Sequence, residues 1–89
     1  MERLFDLGQV VATRGAVETI NSEDMLAGLG RHVTGDWGEL QDDDREANET
    51  GLRDGQRILS VYIDRFGTRY WIITEWDRSA TTILLPENY

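Results

Sequence analysis

The most regular pattern of apolar positions lies in the C-terminal third of the chain. Three runs rich in β-branched and aromatic residues, 58–64, 69–76 and 81–85, are separated by short polar segments. Their apolar residues alternate with a period of two, which is typical of strands, and Gly67 lies where a hairpin loop needs a positive φ. We therefore predict a three-stranded antiparallel meander that ends at Pro86, since proline cannot donate to a strand ladder.

The middle run predicts a strand with large apolar groups on both faces. Tyr70 and Ile72 fall on one face, and Trp71 and Ile73 fall on the other. We expect one face to meet the helices. The other face is expected to be partly exposed or covered by a partner.

Two segments predict helices. Asn21 and Ser22 provide an N-cap for a helix over 23–33, whose apolar residues recur at helical spacing. A second helix is predicted to open at the aspartates from Asp42, with Asp43 and Glu46 at the spacing of a capping box, and to end at Gly55.

A first short strand over 5–13, centred on Val10 and Val11, is expected to pair at one edge of the meander. The order of elements predicts an α+β fold as one domain over residues 1–89. It is a two-layer sandwich, in which the β-meander and the N-terminal strand form the sheet and two main helices lie on one face.

Charge and composition narrow the classes of function. Seventeen acidic residues and nine arginines give a net charge of −8, and the acidic excess lies entirely in residues 1–55. Such a field opposes direct binding to nucleic acid or an anionic membrane and favours a basic protein partner. The chain has no apolar run of transmembrane length, and residues 1–5 lack the regions of a signal peptide, so a cytoplasmic location is expected.

The acidic segment 36–54 is the candidate binding surface. A solvated helix face and a patch that pairs with an arginine- and lysine-rich site both fit its composition. Trp37 lies between glycines beside these acids, where core packing and an interface anchor are both open. The predicted partner-binding residues are Asp36, Trp37, Glu39, Asp42, Asp43, Asp44, Glu46 and Glu49.

Catalysis is the alternative. A general acid/base set could be formed by His32, Asp36, Glu75 and Asp77. In this alternative the protein is a small metal-independent hydrolase or nucleic-acid-processing enzyme that uses His32 with Asp36 or Glu75. His32 is the only histidine and there is no cysteine, so no metal and no cofactor is expected. Without a recognisable nucleophile motif, we expect His32 to be structural or on the surface, and catalysis to be the less favoured role.

The chain resembles a family of small uncharacterised bacterial proteins that are encoded on plasmids, integrative elements and prophages. The resemblance lies in the segments 7–13, 35–38, 71–75, 77–79 and 81–86. Family members carry plasmid-related or restriction-associated labels, and the resemblance assigns no catalytic or binding residue. It implies a mobile-element setting, in which small acidic proteins often block nucleic-acid-binding defence enzymes.

Three functions follow as expectations. The first is a non-enzymatic inhibitor of the anti-restriction or anti-CRISPR type. Like a DNA mimic, it would occupy a basic site on its partner with its acidic surface. The second is the hydrolase built on His32. The third is an accessory or regulatory subunit that docks through the sheet, and a homodimer is compatible with each of the three.

Overall fold

Four strands form one sheet in the computed structural model of the protein, which describes residues 2–89. The strands are β1 (Gln9–Ala12), β2 (Ile58–Ile63), β3 (Arg69–Thr74) and β4 (Ala80–Leu84), in the spatial order β1-β4-β3-β2. The helices are α1 (Arg14–Thr19), α2 (Ser22–Val33) and α3 (Asp42–Asp54), and a 3-10 turn covers Pro86–Asn88. The α+β class and the meander β2-β3-β4 are confirmed.

The sheet is mixed rather than purely antiparallel, because β1 pairs in parallel with β4. Gly8 explains how the chain enters β1. Its φ is +63°, and a Cβ there would lie 2.4 Å from the backbone of Arg78 and Ser79. Only glycine allows this close approach, so β1 starts beside the β3–β4 turn and runs in the same direction as β4.

One face of the sheet packs against α1 and α2. Ala16 and Ile20 from the α1 region, and Met25 and Leu29 from α2, contact a layer of strand residues. We call this side of the sheet the helix face. Its strand residues in this layer are Tyr62 of β2, Tyr70 and Ile72 of β3, and Ile83 of β4. The apolar period of two correctly placed Tyr70 and Ile72 on one face, and the structure shows that this is the face that meets the helices.

The second face of the sheet is buried at its centre and exposed at its margins. Ile73 and Leu84 are buried, while Val11 and Ile63 are 40% and 45% exposed. Trp71 is half-buried, and the ring of Tyr89 lies against it with centroids 5.5 Å apart.

Helix α3 lies along the outer edge of β2. The Asn48 side chain donates to Leu59 O at 2.6 Å and accepts from Leu59 N at 3.0 Å. Next to it, Val61 N donates to Trp37 O and Val61 O accepts from Glu39 N. The outer backbone groups of Leu59 and Val61 are thereby satisfied without another strand.

The capping box predicted for α3 is not formed. The helix begins at Asp42, so its N-cap is Gln41, and no side chain caps the first turn. Asp43 and Glu46 consequently lie inside the helix rather than at the positions of a capping box. No helix within residues 2–89 combines the length and the apolar character needed to cross a membrane.

Candidate partner-binding surface

The predicted acidic surface divides into parts with different environments. Asp36 belongs to the loop after α2 and is already paired, with Arg31 Nε donating to its Oδ2 at 2.7 Å. This hydrogen bond holds the pKa of Asp36 below its ordinary value. Asp36 also accepts from Gly38 N at 3.2 Å, so its carboxylate organises the loop.

Trp37 is a core residue, and the structure corrects its placement in the binding surface. The indole is only 2% exposed and packs with Leu40, Ile58 and Val61. Its ring stacks on Phe5 with centroids 6.4 Å apart. The main-chain oxygen of Trp37 also accepts from Val61 N, which holds the residue against β2.

The exposed face of α3 carries a stripe of acids. At about 100° per residue, Asp42, Glu46 and Glu49 fall on one side of the helix, with Asp43 adjacent. All four are exposed. The opposite side carries Asn48, which is buried against β2. We call Asp42, Asp43, Glu46 and Glu49 the α3 stripe.

Glu39 and Asp44 lie apart from the α3 stripe. Both line a shallow groove of about 340 Å³ between the start of α3 and the second face of the sheet. The groove is also lined by Leu59, Val61, Trp71 and the cation Arg69. Glu39 and Asp44 therefore share this groove with a cation.

None of the four acids of the α3 stripe forms an ion pair among residues 2–89. The two arginines within the same helix are used elsewhere. Arg45 donates to the main-chain oxygens of Gly38 at 2.6 Å and Leu40 at 3.0 Å. Arg53, about two turns further on, pairs with Asp54. The stripe is thus a concentrated negative surface.

His32 lies in a separate, fully buried cluster. Its Nδ1 is 2.5 Å from Ser60 Oγ and its Nε2 is 2.9 Å from Thr74 Oγ1. Thr74 Oγ1 is 2.7 Å from Thr81 Oγ1, which donates to Leu7 O at 2.7 Å. These bonds connect α2, three strands and the N-terminal segment through the core.

The direction of this network fixes the tautomer of His32. Thr81 has one hydroxyl proton and gives it to Leu7 O, so Thr74 must donate to Thr81. Thr74 Oγ1 then accepts from His32 Nε2–H, and Nδ1 accepts from Ser60. The ring is neutral, and burial lowers its pKa from 6.5 to about 3.

The acid/base set proposed for a hydrolase does not come together. His32 has hydroxyl partners and no carboxylate partner among the described residues, and its side chain is 0% exposed. Asp36 pairs with Arg31 and Asp77 accepts from Ser79 N. Arg78 donates to the main-chain oxygen of Glu75 rather than to its carboxylate. Within residues 2–89, no three His, Asp or Glu side chains form a metal site.

The hydroxyl partners of His32 were not among the residues predicted from the sequence. Ser60, Thr74 and Thr81 all point to the helix face, each from a different strand. Small hydroxyl residues at inward positions of three otherwise apolar strands were the available signal. They indicate a buried polar partner, and the single histidine was the obvious candidate.

Comparisons of the chain with protein-family models, with curated proteins and with solved structures found no match.

Proposed function

We propose that this protein is a non-enzymatic binding protein whose α3 stripe occupies a basic site on a protein partner. The observation that carries the proposal is the set of four exposed acids on one helix side without an ion pair in the described chain. Buried His32, without a carboxylate, makes catalysis the weaker alternative.

The spacing of the acids in the α3 stripe indicates which kind of basic site on a partner it could occupy. Asp42 and Glu49 are seven positions apart, so three charges span about 10 Å at 1.5 Å per residue. A DNA strand presents a phosphate about every 3.4 Å along its axis. The stripe is therefore sparser than a DNA strand, and suits a basic groove in which arginines and lysines stand several ångströms apart. The site of a nucleic-acid-binding defence enzyme is the proposed example, in the mobile-element setting that the family resemblance implies.

The test compares two variants that each lose four negative charges. One carries Asp42→Asn, Asp43→Asn, Glu46→Gln and Glu49→Gln. The matched control neutralises exposed acids elsewhere, at Glu2, Asp6, Glu18 and Glu87. Partners are captured from a lysate of the source cell with the wild-type chain, purified, and titrated across a salt series.

We expect the stripe variant to bind about thirtyfold more weakly at low salt, since four exposed pairs at about 0.5 kcal/mol each total about 2 kcal/mol. Its salt dependence should also be smaller than that of the control. Equal binding by both variants would show that the stripe is only a solvated helix face. Circular dichroism confirms that both variants fold.

A further inference from the structure

The two edge strands of the sheet differ in whether their outer backbone groups are hydrogen bonded. At β2, the Asn48 side chain and the backbone of 37–39 bond to the outer groups of Leu59 and Val61. At β1, the sequence Gln9–Ala12 contains no lysine, proline or bulge, the usual devices that block an edge strand. Val10 and Val11 are 43% and 40% exposed there.

The outer backbone groups of β1 have no partner in the described chain. Gln9 N donates to Ser79 O and Thr13 N donates to Ile83 O, so the odd-numbered residues face β4. Because alternate residues of a strand point to opposite sides, the N–H and C=O of Val10 and Ala12 point away from the sheet. No residue among 2–89 bonds to them.

We propose that β1 is the interface of a homodimer, in which it pairs with the β1 of a second copy in antiparallel orientation. A two-fold axis perpendicular to the sheet places Val11 opposite its own copy. Val10 of each chain then exchanges two hydrogen bonds with Ala12 of the other. A register centred on Val10 would need Gly8 in the ladder, and the positive φ of Gly8 excludes that. An isologous contact of this kind is the commonest form of homo-oligomer.

The distribution of charge is compatible with this pairing. Helix α3 lies beside β2, at the opposite edge from β1. In the dimer, seven strand spacings of about 4.8 Å separate the two copies of β2, or about 34 Å. This exceeds the Debye length of about 8 Å at physiological ionic strength, so the two α3 stripes barely repel. The dimer does not depend on the proposed function of the stripe.

The experiment measures the dimer dissociation constant by sedimentation equilibrium of the full chain. Val11→Lys and Val11→Glu each place two like charges opposite one another on the axis, and each should raise the dissociation constant more than about tenfold, equivalent to about 1.4 kcal/mol. An equimolar mixture of the two variants should recover association as a heterodimer. The matched control is Ile63→Lys, which changes the charge at a similarly exposed strand residue away from β1.

Hydrogen exchange of the wild-type chain gives a second measurement that needs no variant. The amides of Val10 and Ala12 should become protected as concentration rises, while exposed amides of α3 should not change. A chain that stays monomeric at every concentration overturns the proposal. So does an equal loss of dimer in Ile63→Lys, or a mixture of the Lys and Glu variants that fails to associate.

Discussion

At the scale of single residues, His32 connects the most separate parts of the chain. Its ring links α2 to β2 and β3, and through Thr81 to Leu7 near the N-terminus. A buried polar network of this kind specifies one arrangement of the core, because each unsatisfied member would cost about 1–3 kcal/mol. The sequence left open whether His32 is structural or on the surface, and the structure places it in the core. The identity of its partners depends on strand register.

The depressed pKa of His32 predicts a pH dependence of stability. The folded pKa is about 3 and the ordinary value is 6.5. Below pH 6.5 the unfolded chain binds a proton that the folded chain does not, so acid favours unfolding. Above pH 6.5, the neutral His32 makes its full contribution to the free energy of unfolding. This contribution is lost as pH falls towards 3, by about 1.4 kcal/mol per pH unit.

Urea unfolding between pH 6.5 and about 5.5, above the range where most carboxylates titrate, measures this slope. In His32→Gln, which cannot take up the proton, the slope in this interval should be absent. Because the chain has one histidine, the imidazole NMR signal is a direct check. A folded-state titration near pH 6.5 would contradict the prediction.

At the scale of elements, periodicity predicted the members of the sheet but not how they are joined. The alternation within 58–85 reports which side chains share a face, and this is why the meander was predicted. It carries no information about strand direction, which for β1 depends on the close approach at Gly8. Trp37 was ambiguous for a similar reason, since its burial depends on a backbone pairing with Val61 that lies 24 positions away in the chain.

Asn48 is expected to determine the docking of α3. Asn48→Ala would leave the N–H and C=O of Leu59 without their side-chain partner, and we expect a loss of about 1–3 kcal/mol in the free energy of unfolding. Glu49→Ala, at the next position but exposed, serves as the control and should change stability by less than about 0.5 kcal/mol.

Chemical denaturation measures both variants, and exchange of the Leu59 amide reports the local effect. In Asn48→Ala this amide should lose protection before the amides of β3. Equal stability of the two variants would mean that α3 is held by its apolar contacts, chiefly Leu52 with the core around Trp37 and Ile58.

At the scale of the whole molecule, the uneven charge should make stability depend on salt. The net charge of −8 resides on the N-terminal part of the chain, and the α3 stripe concentrates part of it. Repulsion among these charges destabilises the compact state, and added ions screen it. We expect the thermal midpoint to rise with sodium chloride.

The stripe variant with Asp42, Asp43, Glu46 and Glu49 neutralised should show a smaller rise than the wild type in differential scanning calorimetry. The variant neutralised at Glu2, Asp6, Glu18 and Glu87 provides the comparison, since it removes the same charge from scattered positions. An identical salt response in both variants would show that the stripe does not concentrate the repulsion.

The occupied edge at β2 limits how many copies can assemble. A sheet with two bare edges can add chains without end, which is how edge strands seed fibrils. Here the loop before α3 and the side chain of Asn48 already bond to the outer groups of Leu59 and Val61. A pair joined at β1 would leave only Ile63, at the end of β2, for another strand, so growth would stop at two. The same contacts that hold α3 in place would then act as a terminator of polymerisation.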